Sequence, residues 1–334
     1  MSTHAPSTLA TDAKPNPTTP ELVARFVQQQ LKQHRSRHTG TERVPPMVLG
    51  VQGPQGSGKS WLASQLPSLL AQPAHGSLRT ATLSLDDLYL PHSGLTAVAS
   101  AHPGNALLRG RGQAGTHDLS LGLHVLHQLK EAKTAGGGEP VEVPVFEKSL
   151  HGGEGDRLPR EQWVKVDRPD EVDVVVLEGW MLGFRPVYSH SSSSLSEVYS
   201  SVKSDPEGES TKQRLQIDYA PPFLLQHRLE DLEQVEQMLD PYKELWDQVD
   251  AVVQMRPERM GYVWEWRLEQ EHNMKAKNGG VGMTDEQVKN FIARYMPGYE
   301  LWLPGLSAAS SSWAGKGLRV LLGKGREVVG VETF

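Results

Sequence analysis

Apolar residues fall along this chain in two rhythms, short continuous runs and longer stretches of helical period. The runs 47–51 (Met-Val-Leu-Gly-Val), 79–85, 172–177 and 249–255 predict buried strands, being short, rich in branched residues and bounded by polar or Gly-containing segments. Further strands are predicted at 141–146 and in the pair 318–322 and 327–331 around Gly323-Lys324-Gly325. Between them, Leu22, Val23, Phe26, Val27 and Leu31 mark the inward face of a helix fading near His38. Its start reads as Thr19-Pro20-Glu21, with Thr19 as N-cap and Pro20 at the first helical position. Helical spacing follows from Trp61 onward, over 119–133 until Gly136-Gly137-Gly138 breaks it, and over 222–246. A last helix opens at Thr284, whose capping-box partner is Gln287, and carries Val288, Phe291, Ile292, Tyr295 and Met296. Strands alternating with helices predict an α/β fold, a mainly parallel sheet with helices on both faces.

Two segments stand outside this pattern. Residues 1–18 are rich in Ser, Thr and Pro, with neither an apolar core nor an Arg, and are expected to be a disordered tail rather than a targeting signal. Residues 187–217 are dominated by serine and then by charge with Pro and Gly. They are expected to form a low-complexity surface insertion with little fixed structure. The span 19–334 otherwise reads as a single domain.

Composition narrows the partners. The formal charge is −6, from 34 Lys+Arg against 40 Asp+Glu, so no global basic field draws the chain to nucleic acid or an anionic membrane. There is no cysteine, which excludes disulfides and thiolate zinc sites and fits a reducing compartment. No apolar stretch approaches the roughly 18 residues of a membrane span. The expectation is a monomer in the cytoplasm, with the nucleus also open, whose partner is a small molecule.

The chemistry begins at Gly53-Pro54-Gln55-Gly56-Ser57-Gly58-Lys59-Ser60, a complete G-x-x-x-x-G-K-[ST] loop between a strand and a helix. Glycines let backbone N–H groups converge on phosphate oxygens, and the helix N-terminus adds partial positive charge. Residues Gly53 to Trp61 are the candidate nucleotide-binding segment, with Lys59 for the β/γ-phosphates and the Ser60 hydroxyl for Mg²⁺. Glu178 ends the apolar run Val174-Val175-Val176-Leu177, the shape of a Walker B element, and is the second candidate for the metal, through water. Asp86 and Asp87 occupy another strand tip, where open α/β sheets place ligands. Transfer to a hydroxyl needs such a carboxylate to orient the hydroxyl and take its proton. Cationic candidates for the catalytic layer are Arg109, Arg111, Lys148, Arg157 and Arg267, the last in a segment suited to a helical lid. The loops bearing these residues, with His117 and Asp118, read as acceptor-binding. No Asn-Lys-x-Asp accompanies the loop, and the one Asp-x-x-Gly of note, at 205–208, falls in the insertion, which disfavours a GTPase. No His-Glu-x-x-His spacing occurs, and no zinc site is expected.

Asp86-Asp87-Leu88-Tyr89 resembles the Asp-x-Phe-Tyr element of the uridine kinase, phosphoribulokinase and pantothenate kinase group, which implies Asp86 as base with Asp87 second. A wider set of strings closely resembles the D-glycerate 3-kinase family of plants and fungi, whose fungal members are described as ATP-dependent P-loop kinases. Besides the loop at 53–60, these are Ser84-Leu85-Asp86-Asp87-Leu88-Tyr89, Gly110-Arg111-Gly112, Gly115-Thr116-His117-Asp118, Phe146-Glu147-Lys148-Ser149, Glu178-Gly179-Trp180-Met181, Trp266-Arg267-Leu268-Glu269 and Arg294-Tyr295-Met296-Pro297, in the family's order. The resemblance implies a P-loop NTPase three-layer sandwich, ATP with Mg²⁺, and phosphoryl transfer to a small hydroxy acid, D-glycerate giving 3-phosphoglycerate. The candidate catalytic residues are then Lys59, Asp86 and Arg267, and the acceptor-side candidates are Asp87, Tyr89, Arg109, Arg111, His117, Asp118, Lys148 and Arg157. The alternatives are a kinase for a nucleoside, pantothenate or another metabolite, and a non-catalytic ATP-binding regulator.

Overall fold

A computed structural model describes residues 18–334 apart from 39, 41, 42, 190, 192, 278, 309 and 310; the expected tail, Thr18 excepted, lies outside the described residues. The strands are β1 (Met47–Gln52), β2 (Thr80–Ser84), β3 (Val141–Val143), β4 (Phe146–Glu147), β5 (Asp156–Arg157), β6 (Val164–Val166), β7 (Val174–Gly179), β8 (Ala251–Pro257), β9 (Gly317–Leu322) and β10 (Val328–Thr333). Six of them form one sheet in the order β10-β9-β8-β1-β7-β2, parallel except where β10 returns antiparallel along β9. Alternate residues of the central strands feed two cores, as a strand's period of two requires. Met47, Leu49, Val51, Val174, Val176 and Val253 pack on one face with Val23 and Val27 of the helix Thr19–Arg37 and Leu62 and Leu66 of Lys59–Leu70. Val48, Val175, Leu177 and Val252 face the other way, against Val125 and Leu126 of Leu119–Ala135, Val235 of Leu229–Met238 and Trp246 of Tyr242–Trp246. Each such aliphatic side chain contributes about 1.5–3 kcal/mol by leaving water. Helix, sheet and helix make the three-layer α/β architecture of a P-loop NTPase.

Register positions the site. Gln52 lies beside Gly179, Val51 beside Glu178, and Glu178 beside Ser84, so the C-terminal tips of β1, β7 and β2 meet at one edge of the sheet.

The elements depart from expectation at identifiable residues. Pro144 has no N–H to donate, and it divides the expected strand 141–146 into β3, paired with β6, and β4, paired with β5. The expected helix 222–246 breaks ahead of Pro241 into Leu229–Met238 and Tyr242–Trp246, after a tight turn at Phe223–Gln226. The first helix is capped by Thr18 rather than Thr19, because Glu21 sits three residues beyond Thr18 and accepts from its N–H at 2.8 Å and its hydroxyl at 3.1 Å.

The largest correction concerns 187–217. That segment carries helices Leu195–Ser204 and Glu209–Leu215, and buries Leu195, Val198, Val202, Leu215 and Ile217 in the main core. Leu195, Val198 and Val202 recur at helical spacing, the Ser194–Glu197 capping box starts the turn, and Ser200 and Ser201 occupy its exposed side. Among the described residues no helix is long and apolar enough to cross a membrane.

Candidate active site

The Gly-rich loop follows β1 and turns directly into the helix Lys59–Leu70. Gly58 caps that helix with a left-handed backbone, φ 87°, a conformation that costs Gly little. At Gly56, φ is 76° and an added Cβ would lie 2.5 Å from the Cβ of Trp266; the helix Tyr262–Lys277 is seated on the loop. Two other segments, both remote in sequence, grip it. Arg326, in the β9–β10 turn, donates from Nε to the Gly56 carbonyl at 2.7 Å, pairs with Glu269 at 2.8 Å and covers the Trp266 ring at 5.4 Å. Tyr299 accepts from the Gln55 N–H at 3.4 Å and donates to the Gln55 side-chain oxygen. Inside the loop, the Ser57 hydroxyl is buried without a partner, whereas Trp61 just beyond it is 59% exposed.

Glu178 gathers the groups at the strand tips. Its Oε1 accepts from Ser60 Oγ at 3.2 Å and Ser84 Oγ at 2.7 Å, while its buried Oε2 accepts no hydrogen bond and lies 4.0 Å from Lys59 Nζ. A serine hydroxyl beside a carboxylate with a spare oxygen is a hard-oxygen pair that suits Mg²⁺. Among the described residues no group of three or more His, Cys, Asp or Glu is placed to hold a metal. A cation at Ser60 and Glu178 would therefore draw its remaining oxygens from phosphate and water, as Mg²⁺ does in phosphoryl-transfer sites.

Asp86 and Asp87 sit in the tight turn Leu85–Leu88 that ends β2, where Ser84 Oγ accepts from the Asp86 N–H at 3.2 Å. Asp86 accepts from Lys148 Nζ at 2.5 Å and from Tyr89 Oη at 3.1 Å. Burial pushes its carboxyl up, but the positive charges of Lys148 and Lys59 outweigh that and hold it at about 2. Asp87 accepts from the Phe146 N–H at 3.0 Å. Burial, aided by the neighbouring Asp86 charge, nevertheless raises it to about 6.

The other expected residues separate into two groups. His117 is buried against Tyr242, Nδ1 to Oη 2.6 Å, and stacks on Tyr89 at 4.5 Å; burial lowers its pKa to about 3. Asp118 caps the helix Leu119–Ala135 through the Leu121 N–H and accepts from Arg157 Nη1 at 3.0 Å, while Arg157 Nη2 holds the Tyr89 carbonyl at 2.8 Å. These three brace the turn at 85–89. Arg109 and Arg111 instead line a cavity with Arg294. Arg267 pairs with the buried Glu271 at 2.8 Å and covers the Phe291 ring at 5.1 Å, one residue beyond the Trp266 that meets the loop. Ser84, Tyr299, Arg294 and Arg326 escaped expectation as site residues. Only Ser84 had a local signal, as the last residue of a strand ahead of the paired aspartates.

Comparison with known proteins places this arrangement. No protein-family model matches the chain. Over 288 residues it is 35% identical to the chloroplastic D-glycerate 3-kinase of Arabidopsis thaliana, covering 86% of this chain and 54% of that protein; the chain thus spans about half the length of that relative. Over 262 residues it is 36% identical to the uncharacterized kinase mug58 of Schizosaccharomyces pombe, covering 78% of this chain and 83% of that one. The solved structure of D-glycerate 3-kinase from Cryptococcus neoformans superposes with a TM-score of 0.83 at 44% identity, over 96% of this chain and 100% of that one. The chain belongs to the family of the D-glycerate 3-kinases and the fungal ATP-dependent P-loop kinases.

Proposed function

We propose that this protein transfers the γ-phosphoryl group of ATP to a hydroxyl of a small hydroxy acid, D-glycerate giving 3-phosphoglycerate. The observation that carries the reading is the pairing of two half-sites at one sheet edge. A phosphate loop with Lys59, Ser60 and Glu178 adjoins a carboxylate, Asp86, whose ionisation Lys59 itself influences. Binding of nucleotide alone would need no such acceptor-side carboxylate. One continuous sheet from β1 to β10 supports a single kinase domain over 19–334.

The loop N–H groups of 53–60 and Lys59 would hold the β- and γ-phosphates, and Ser60 with Glu178 would hold Mg²⁺. When bound, Mg²⁺ and ATP supply the phosphoryl group and the divalent charge that balances the transferring oxygens. Asp86 accepts the hydrogen bond of the acceptor hydroxyl and aims its oxygen at the phosphorus. As the new O–P bond forms and the bond to the leaving ADP oxygen breaks, the hydroxyl proton passes to Asp86. A carboxylate held near 2 is a weak base, and a loose transition state asks little more of it than orientation until bond formation is advanced. Lys148 keeps that carboxylate ionised, and Arg267, fixed by Glu271, adds charge beside the loop. His117, Asp118 and Arg157 hold the Asp86 turn from behind.

The reading predicts ADP release that depends on D-glycerate and is abolished in Lys59→Ala, followed by coupled ADP detection. A protein that binds ATP yet releases no ADP with D-glycerate or any other hydroxy acid would instead be a nucleotide-binding regulator.

A further inference from the structure

A cavity of about 450 Å³ is lined by the helix His92–Ala101, the loop carrying Arg109 and Arg111, and Phe291 and Arg294. Three arginines converge there, and their donors are only partly used. Arg109 is exposed and makes no hydrogen bond or ion pair among the described residues. Arg294 is anchored by Nη2 to the Leu107 carbonyl at 3.2 Å, and its Nε is buried without a partner. Arg111 donates from Nη1 to the carbonyls of Gly153 (2.7 Å) and Glu154. The one carboxylate on the rim, that of Glu154, is mostly exposed and engaged with His92 Nε2 at 2.7 Å. The cavity is thus cationic, with Leu95 and Ala99 as an apolar wall and the Thr96 and Ser100 hydroxyls beside them.

Arg111 also links this cavity to the Asp86 turn. Its guanidinium lies 5.9 Å from the Phe146 ring, and the backbone N–H of Phe146 holds Asp87. These two contacts tie the wall of the cavity to the turn that presents Asp86. Guanidinium pairs bind carboxylates with planar, charge-assisted hydrogen bonds that a neutral alcohol cannot return.

We propose that this cavity is the acceptor-carboxylate site, with Arg109 and Arg294 as its ligands, and that it selects an anionic hydroxy acid over a neutral polyol. The inference rests on the kinase reading above and deepens it, by assigning Arg294 and by placing selection on charge. The volume exceeds what a three-carbon acid fills, so selection by charge precedes selection by length.

The test is calorimetric titration of the full chain with D-glycerate and with glycerol, with and without a non-hydrolysable ATP analogue, alongside steady-state kinetics. Arg109→Met is the deciding variant, because that exposed side chain makes no hydrogen bond or ion pair among the described residues; Arg294→Lys, which keeps the charge but loses the guanidinium plane, is the second. Arg109→Met is expected to weaken D-glycerate binding roughly ten- to a hundredfold, the loss of a charged hydrogen bond. It should leave the KM for ATP and the affinity for glycerol unchanged. Absence of turnover in the wild type would remove the kinase reading, while the binding titration would still decide the cavity. Equal D-glycerate affinity in wild type and Arg109→Met, or a wild type that binds D-glycerate no better than glycerol, overturns the proposal.

Discussion

Asp86 and Asp87 are chain neighbours, yet their surroundings drive them apart. Lys148 and Lys59 hold the first at about 2, and burial lifts the second to about 6. The stability consequences have opposite sign. Asp86 contributes stability that is present above its unfolded pKa and lost as pH falls towards 2; Asp87 contributes stability that is full below its unfolded pKa and lost as pH rises through 6. Catalysis separates them too. With Asp86 as the base, Asp86→Asn should lower kcat about a hundredfold or more at every pH, and the wild-type kcat/KM should show no acidic limb belonging to that residue above pH 3. Asp87→Asn should keep most activity. A pH–rate profile of the wild type and both variants checks this: full activity in Asp86→Asn, together with an acidic limb near pH 6 that Asp87→Asn removes, would move the role to Asp87. The aspartates were legible because they stand together at a strand tip. The lysine that distinguishes them stands 62 residues away, and no local pattern announces that contact.

At the scale of elements, legibility followed how local each determinant is. The Gly-rich loop, its strand and its helix are consecutive in sequence, and the structure has the strand and the helix where the pattern puts them. The grip on that loop by Trp266, Tyr299 and Arg326 was invisible, since three remote segments supply it. Composition misled where periodicity would have served, in the serine-rich segment at 187–217. Its capping box and the spacing of Leu195, Val198 and Val202 were readable, but the serines between them outweighed the pattern. The corrected view has a measurable consequence. Leu215 is buried in the main core, so Leu215→Ala should lower the unfolding free energy by about 2–5 kcal/mol, seen as a lower urea midpoint. An unchanged midpoint would restore the picture of a loose insertion.

Across the whole molecule, that segment joins the Gly-rich loop through one buried acid. Beyond Ile217 the chain reaches Tyr219, Phe223 and Leu224, and all three donate to the Glu300 carboxylate, the Tyr219 hydroxyl at 2.7 Å and the two N–H groups at 2.8 Å. Glu300 follows Tyr299, whose hydroxyl holds Gln55 in the phosphate loop. Burial raises Glu300 to about 7 despite those three donors. A folded pKa above the unfolded one means that the fold favours the protonated acid. Its contribution is complete below about pH 4.5 and is lost as pH rises through 7. The loss amounts to about 3 kcal/mol at most, since one pKa unit is worth about 1.4 kcal/mol. Glu300→Gln cannot ionise, so although it costs some stability through mismatched donors at Leu224, its dependence on pH between 5 and 8 should be flatter than that of the wild type. Denaturant unfolding at both pH values measures the difference directly. Parallel pH dependences in the two proteins would mean that Glu300 is ionised throughout, its three donors outweighing burial, and that the joint between this segment and the loop does not respond to pH.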